Sequence, residues 1–377
     1  MRKFNLRYFI SNYDFWLLIL VSILGICGIF AVGSAKASLQ NRQMMGVIGG
    51  IFIMILLSFL DYHFYLKLHI LCYVGNLVLL ALVLSSLGDD AGGAQRWLNL
   101  GFIRVQPSEL AKILLILFFA QFITHHKQKL NTVWVLLLSV ILIAAPLFLV
   151  YKQPDLSTTI MIAILYIVMM FVGGVSHKLT ISLAVIFIPT VLVVFLLAIS
   201  PGENFVKTHV IKEYQQNRIL AWLYPNDYRD TEAYQQLNSK TAIGSGQLLG
   251  KGYANNEVSS VKNGNYISQP QTDFIFAVIG EEWGFIGGTV IILMEFLIAM
   301  RCFNIARKAL DLAGHIIASA MGALILFQSF INISVTTGLL PNTGIPLPLV
   351  SYGLTSLMSI CIGMGIVLNI RLQSGRI

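Results

Sequence analysis

The chain has 377 residues, of which 56% are hydrophobic and only 11% charged, and it carries a net charge of +8. A soluble globular chain carries roughly a quarter charged residues, so most of this surface cannot face water and a soluble fold is excluded. The four cysteines, Cys27, Cys72, Cys302 and Cys361, lie in or beside apolar blocks, which excludes a disulfide framework or a CxxC metal pair.

Arg2, Lys3 and Arg7 precede an apolar run over residues 15–32. That run exceeds the roughly 7–15 residues of a signal-peptide core, so it reads as a first transmembrane helix. Apolar blocks matching a hydrocarbon thickness of about 30 Å then predict ten spans. They lie near 14–34, 44–60, 64–86, 109–124, 132–151, 157–174, 178–199, 273–300, 312–336 and 349–370. The fold class is an all-α polytopic membrane protein. It is one transmembrane domain over 1–377, with a long loop over 200–272 between the seventh and eighth helices.

An even number of spans puts both termini on one side. With cytoplasmic termini, the inside segments hold twelve Lys and Arg and the short outside loops five. Cytoplasmic loops are the ones enriched in Lys and Arg, so the long loop faces outward. Much of the net charge is then a topology signal, and nucleic acid is not an expected partner.

Five polar segments stand out, because ionisable groups in or beside spans line cavities or pair. In the first, Arg96 beside Trp97 is a candidate anion contact. Ser108 and Glu109 suit a helix start, and Lys112 lies i+3 from Glu109, within pairing reach. In the second, Asp155 follows Gln153-Pro154 and either caps the next helix or faces a substrate. The third is the long loop, with Arg218 and then Gly244-Ser-Gly-Gln-Leu-Leu-Gly-Lys251-Gly. Ser245 and Leu249 break the Walker and GxGxxG patterns, which leaves a flexible glycine loop with one cation. In the fourth, Asp273 stands where the loop enters the eighth span. Glu281 follows eight residues on, about 12 Å along a helix and 80° around it. Glu282 and Glu295 share that helix, so it is expected to line the functional cavity. In the fifth, Leu340-Pro-Asn-Thr-Gly-Ile-Pro-Leu-Pro-Leu-Val-Ser351 cannot form a straight helix. Irregular backbone at membrane depth is tolerated where it lines a cavity or is buried in protein, so the segment reads as re-entrant. All five gather on the outer side.

These segments, in this order, resemble the SEDS family of bacterial cell-wall proteins, its RodA branch more than its FtsW branch. The matching pieces are Gly93-Ala-Gln-Arg-Trp-Leu98, Gln106-Pro-Ser-Glu109, Gln153-Pro-Asp-Leu156, Ala242-Ile-Gly-Ser-Gly246 with Gly250-Lys-Gly252, Thr272-Asp-Phe-Ile-Phe-Ala277 with Glu281-Glu282, and Pro346-Leu-Pro-Leu-Val-Ser-Tyr-Gly353. Glycine is usual in the family where this chain has Ser157, Gln247 and Leu354, and Ser268-Gln269 replaces a Pro-Glu pair. The resemblance implies a peptidoglycan glycosyltransferase of the bacterial cytoplasmic (inner) membrane, working on lipid II beside a class B penicillin-binding protein transpeptidase. It maps the family's essential aspartate to Asp273 and its fourth-span pair to Glu109 and Lys112.

The expected chemistry needs one base at the acceptor hydroxyl and cations at the leaving pyrophosphate. Asp273 is the expected base. Arg96, Lys112, Arg218 and Lys251 are the candidate cations. Glu109, Asp155, Glu281 and Ser351 complete the expected substrate contacts. A divalent cation (Mg2+ or Mn2+) on Asp273 or the pyrophosphate is compatible with this scheme, although no ligand cluster marks one. A flippase for the same lipid, or a non-catalytic scaffold for a partner synthase, are the rival readings.

Overall fold

A computed structural model describes residues 12–90, 95–99, 101, 104–176, 178, 185, 213–254, 260, 264 and 266–375. The first helices are α1 (Phe15–Ala35), α2 (Ala37–Ser58), the short α3 (Tyr62–Lys67) and α4 (His69–Val83). Asp14 starts α1 by accepting the Leu17 amide at 3.0 Å, one of the donors a helix start leaves orphaned. Next come α5 (Pro107–His125), α6 (Val133–Lys152) and α7 (Leu156–Val172). Within the long polar stretch lie α8 (Glu213–Leu223) and α9 (Tyr234–Ser245). The chain closes with α10 (Ile275–Arg307), α11 (Leu312–Thr336) and α12 (Leu354–Ser374).

Seven of these helices are long and apolar enough to cross a membrane, and α4 and α7 are shorter apolar helices. They match nine of the ten expected spans. The seventh, at 178–199, lies largely outside the described residues. Helices α5, α11 and α12 form the centre, with 78%, 72% and 78% of their apolar windows buried. The helices around them turn large apolar side chains outward, among them Ile23, Phe52, Leu71, Ile141 and Phe296. Such faces suit lipid and not water.

Three features differ from the sequence expectation. Residues 88–105 form a small antiparallel sheet in the order β1 (Gly88–Asp90), β2 (Gln95–Asn99), β3 (Arg104–Val105), with Leu98 opposite Val105. The last helix begins at Leu354, not 349, because Leu349 takes a left-handed φ of 59° and Ser351 is held in a turn. Helix α10 runs to Arg307, well past the apolar limit near residue 300, because hydrocarbon thickness ends an apolar run without ending a helix.

Helix α10 is also broken at Gly284, whose φ of 66° and ψ of −165° are outside the helical region. The break frees backbone groups that must be satisfied within a membrane. The segment after α9 satisfies them. Lys251 and Gly252 donate their amides to the carbonyls of Glu281 and Glu282, both at 3.0 Å. Phe285 and Ile286 donate to Gln247 and Leu248, at 2.8 and 3.2 Å. Only glycine permits this approach: a β-carbon on Gly284 would lie 2.3 Å from the Gly250 amide nitrogen. The glycine segment is therefore a fixed clasp and not the flexible loop its composition suggests. Two of its amides serve carbonyls of α10, so they are not donors for an oxyanion.

Candidate active site

Chain direction places the polar segments together. The β-sheet precedes α5, Asp155 joins α6 to α7, Asp273 precedes α10, and residues 337–353 join α11 to α12. With alternating spans, all four lie at one end of the bundle. The starts of α1 and α3 and the ends of α10 and α12 lie at the other.

Asp273 stands just ahead of α10. Asn332 on α11 fixes its backbone, donating from Nδ2 to the Asp273 carbonyl at 2.8 Å and to the Ile345 carbonyl at 2.7 Å. Ser351 donates to the neighbouring Thr272 carbonyl at 2.6 Å and accepts the Leu347 amide at 2.8 Å. Tyr352 donates its amide to the Gln271 carbonyl at 2.8 Å. The proline-rich segment is thus strapped to the Gln271–Asp273 turn. A β-carbon on Gly344 would lie 3.4 Å from Asp273 Oδ2, so this segment walls the carboxylate.

Among the described residues, no group donates a hydrogen bond to the Asp273 carboxylate. Its side chain is half-buried, in partial contact with solvent and surrounded by protein elsewhere, so the carboxylate sits in a partly open recess. Burial raises its pKa, the positive charges of Arg218 and Arg96 pull the other way, and the Asp155 carboxylate adds to the rise. These four residues therefore share one electrostatic neighbourhood.

Arg96 reaches it from β2. Its guanidinium donates to the Pro154 carbonyl, and among the described residues its buried Nε has no hydrogen-bond partner. Arg218, on α8, donates to the Asn342 carbonyl at 3.4 Å. Asp155 is fully engaged. It accepts the Thr158 amide at 3.1 Å and hydroxyl at 2.9 Å, the Ser108 hydroxyl at 3.2 Å and Gln106 Nε2 at 3.3 Å. It clamps the start of α5 to the start of α7, so of the two carboxylates in the recess only Asp273 is open.

The remaining predicted contacts are committed within the protein. Lys112 donates to both oxygens of Glu109, at 2.9 and 3.0 Å, and to Gln328 Oε1 at 2.9 Å. Gln328 passes the link to the Pro346 carbonyl at 3.0 Å. Buried and satisfied, this pair braces the wall of the recess. Breaking such a pair on one side typically costs about 3–5 kcal/mol. Lys251 bonds Glu281 at 2.9 Å beside the clasp, and Glu282 accepts from Ser34 at 2.5 Å. Glu295 is buried on α10 beside Ser329 of α11.

Sequence reasoning missed Gln328, Asn332, Asn342 and Thr343. The first two carried a signal: two amides at i and i+4 within an apolar span. Among the described residues, Asn342 Oδ1 and Thr343 Oγ1 are buried without partners. Their only sequence mark is membership of the proline segment. A group of three His, Cys, Asp or Glu able to hold a metal does not occur among the described residues.

A many-spanning membrane bundle with a half-buried acid and two arginines near it at one end defines a class: polytopic membrane proteins with a charged site at one end of the bundle. The FtsW, RodA and SpoVE family, described as cell cycle proteins, matches residues 5–375, and the chain belongs to this family. It is 33% identical over 362 residues to the peptidoglycan glycosyltransferase MrdB of Escherichia coli K12, covering 94% of this chain and 92% of that protein. It is 32% identical over 308 residues to the probable peptidoglycan glycosyltransferase FtsW of Dichelobacter nodosus, covering 81% of this chain and 72% of that one. Among solved structures, the rod shape determining protein RodA of Thermus thermophilus superposes with a TM-score of 0.68 at 27% identity, over 96% of this chain and 97% of that one. A chain from a structure titled "Structural coordination of polymerization and crosslinking by a peptidoglycan synthase complex" gives a TM-score of 0.76 at 29% identity, over 96% and 98%. The protein is therefore a peptidoglycan glycosyltransferase of the bacterial inner membrane, as the resemblance implied.

Proposed function

We propose that the protein polymerises lipid II at the outer face of the membrane, with Asp273 as the base. The carboxylate takes the proton of the acceptor sugar's C4 hydroxyl. The oxygen attacks C1 of the donor sugar, and the C1–O bond to undecaprenyl pyrophosphate breaks with inversion. The leaving group departs as an anion and needs no acid if its charge is balanced. Arg96, with its unpartnered Nε, and Arg218 supply that balance. The observation that carries this reading is the single open carboxylate: Asp273 accepts from no described donor, whereas Asp155 beside it is saturated. One base without a second free carboxylate suits a single displacement better than a double one.

A divalent cation (Mg2+ or Mn2+) would be held by Asp273 or by the substrate's pyrophosphate, since the described residues offer no group of three metal-binding side chains. Bound there, it would add to the neutralisation of the leaving pyrophosphate. The Lys and Arg distribution supports cytoplasmic termini, with the recess and the loop over 200–272, part of a single domain, outside. A class B penicillin-binding protein transpeptidase is the partner this reading expects, because new strands require crosslinking. The solved relative from a complex that polymerises and crosslinks supports it.

The test is a gel assay with purified protein, labelled lipid II and the cognate transpeptidase. The expected result is a muramidase-sensitive ladder that disappears with Asp273→Ala. A full ladder from the folded Asp273→Ala protein would remove Asp273 as base. No ladder from the folded parent complex would favour lipid transport instead.

A further inference from the structure

At the end of the bundle opposite Asp273, three helix ends enclose a cavity of about 320 Å3. Its wall carries Arg301 and Lys308 at the end of α10, Arg371 in the last turn of α12, and Asp14 and Trp16 at the start of α1. Neither the polymerase chemistry nor the clasp uses this cavity. Asp273 lies roughly 40–50 Å away along α10, at 1.5 Å per residue.

Among the described residues, three cations and one carboxylate line this cavity. Arg301 approaches Asp14 only at 3.8 Å, and Asp14 Oδ1 already accepts the Leu17 amide. Arg371 donates to the Ser374 hydroxyl at 2.8 Å, a neutral partner. Lys308 is exposed, and no ion pair to it occurs among the described residues. The described lining of the cavity therefore carries an excess of two positive charges.

An apolar strip adjoins the cations. Trp16 is 65% exposed, and Ile19 and Ile23 continue from it along α1 at helical spacing. Leu293, Leu297 and Met300 make the matching strip on α10, one turn from Arg301, and all three are exposed. Helices α1 and α10 pack together, and each strip starts beside residues that line the cavity, Trp16 itself on α1 and Met300 next to Arg301 on α10. An exposed Trp at a helix end marks the membrane interface. A soluble anion needs only the cations, whereas this arrangement also provides for acyl chains.

We propose that this cavity binds the phosphodiester headgroup of an anionic glycerophospholipid, with its acyl chains along the α1 and α10 strips. Arg301, Lys308 and Arg371 contact the phosphate, and Trp16 lies against the glycerol region. On the orientation argued above, this is a lipid of the inner leaflet. The geometry of the site does not depend on the polymerase reading.

The experiment uses the full chain in phosphatidylcholine nanodiscs with phosphatidylglycerol titrated in, read by native mass spectrometry and by melting temperature. Each cation near an anionic headgroup is worth about fivefold in binding at low salt, so Arg301→Gln/Lys308→Gln/Arg371→Gln is expected to weaken phosphatidylglycerol on the order of a hundredfold. Asp14→Asn keeps a helix cap and removes the competing charge, so it is expected to tighten binding about fivefold. A misfolded protein cannot produce that gain. Inorganic phosphate alone is expected to leave the melting temperature unchanged. Undiminished binding by the triple variant, no gain in Asp14→Asn, or equal stabilisation by inorganic phosphate would each overturn the proposal.

Discussion

At the residue scale, Asp273 combines two demands that pull against each other. Burial raises its pKa and holds it nearer neutrality than the ordinary carboxylate value of about 4. That strengthens a base, which works best when its pKa approaches the operating pH. Since the deprotonated form is the active one, kcat/KM is expected to rise through an acid limb above the usual carboxylate range. The charge of Arg218 lowers the same pKa, so Arg218→Gln is expected to move the limb to higher pH, and a rate–pH profile of both proteins checks this. A carboxyl raised in the folded state contributes stability below its unfolded pKa and loses it as pH rises through the folded value. Asp273→Asn should therefore melt no lower than the parent at neutral pH while losing polymerisation. Asp273 stood out in the sequence because the family resemblance maps an essential aspartate to it, whereas an acid at a span entrance by itself reads equally as a helix cap. The unpartnered atoms of Asn342 and Thr343 did not, because nothing in a proline-rich run tells which polar groups lack partners.

At the scale of elements, hydropathy located the spans well because hydrocarbon thickness constrains them directly. It could not locate the break in α10. The glycine at 284 resembles those at 280, 287 and 288, and only the docked backbone of residues 247–252 distinguishes it. Gly284→Ala would place a β-carbon 2.3 Å from that backbone, at a φ alanine rarely adopts. The expected loss is roughly 1–3 kcal/mol for the backbone strain alone, read as a lower melting temperature in detergent. Gly75→Ala in α4, where the added carbon meets nothing within 4 Å, is expected to lose less. The small sheet was missed for a related reason. Its strands are short, and pairing across a turn is not visible in composition. Yet β2 is what carries Arg96 to the recess.

At the scale of the molecule, helix direction and Lys/Arg asymmetry together imply which end faces out. A cysteine placed at the exposed Tyr253 is expected to react with an impermeant maleimide in intact cells, whereas one at Gln128, between α5 and α6, should react only after permeabilisation. The reverse pattern would invert the topology and move the recess to the cytoplasm. The native cysteines are buried or partly buried, which keeps their background low.

The brace of Glu109, Lys112 and Gln328 has a consequence for how the chain is made. Lys112 and Gln328 lie 216 residues apart. At a synthesis rate of about 5–20 residues per second, the amide emerges roughly 10–40 s after the ammonium. Through that interval the half-built bundle shelters an ion pair with only its own helix turn for company. The wall of the recess closes only when the eleventh helix arrives. The enzyme is thus incompetent until nearly all of it exists, and a chain abandoned midway leaves an incomplete brace within the membrane.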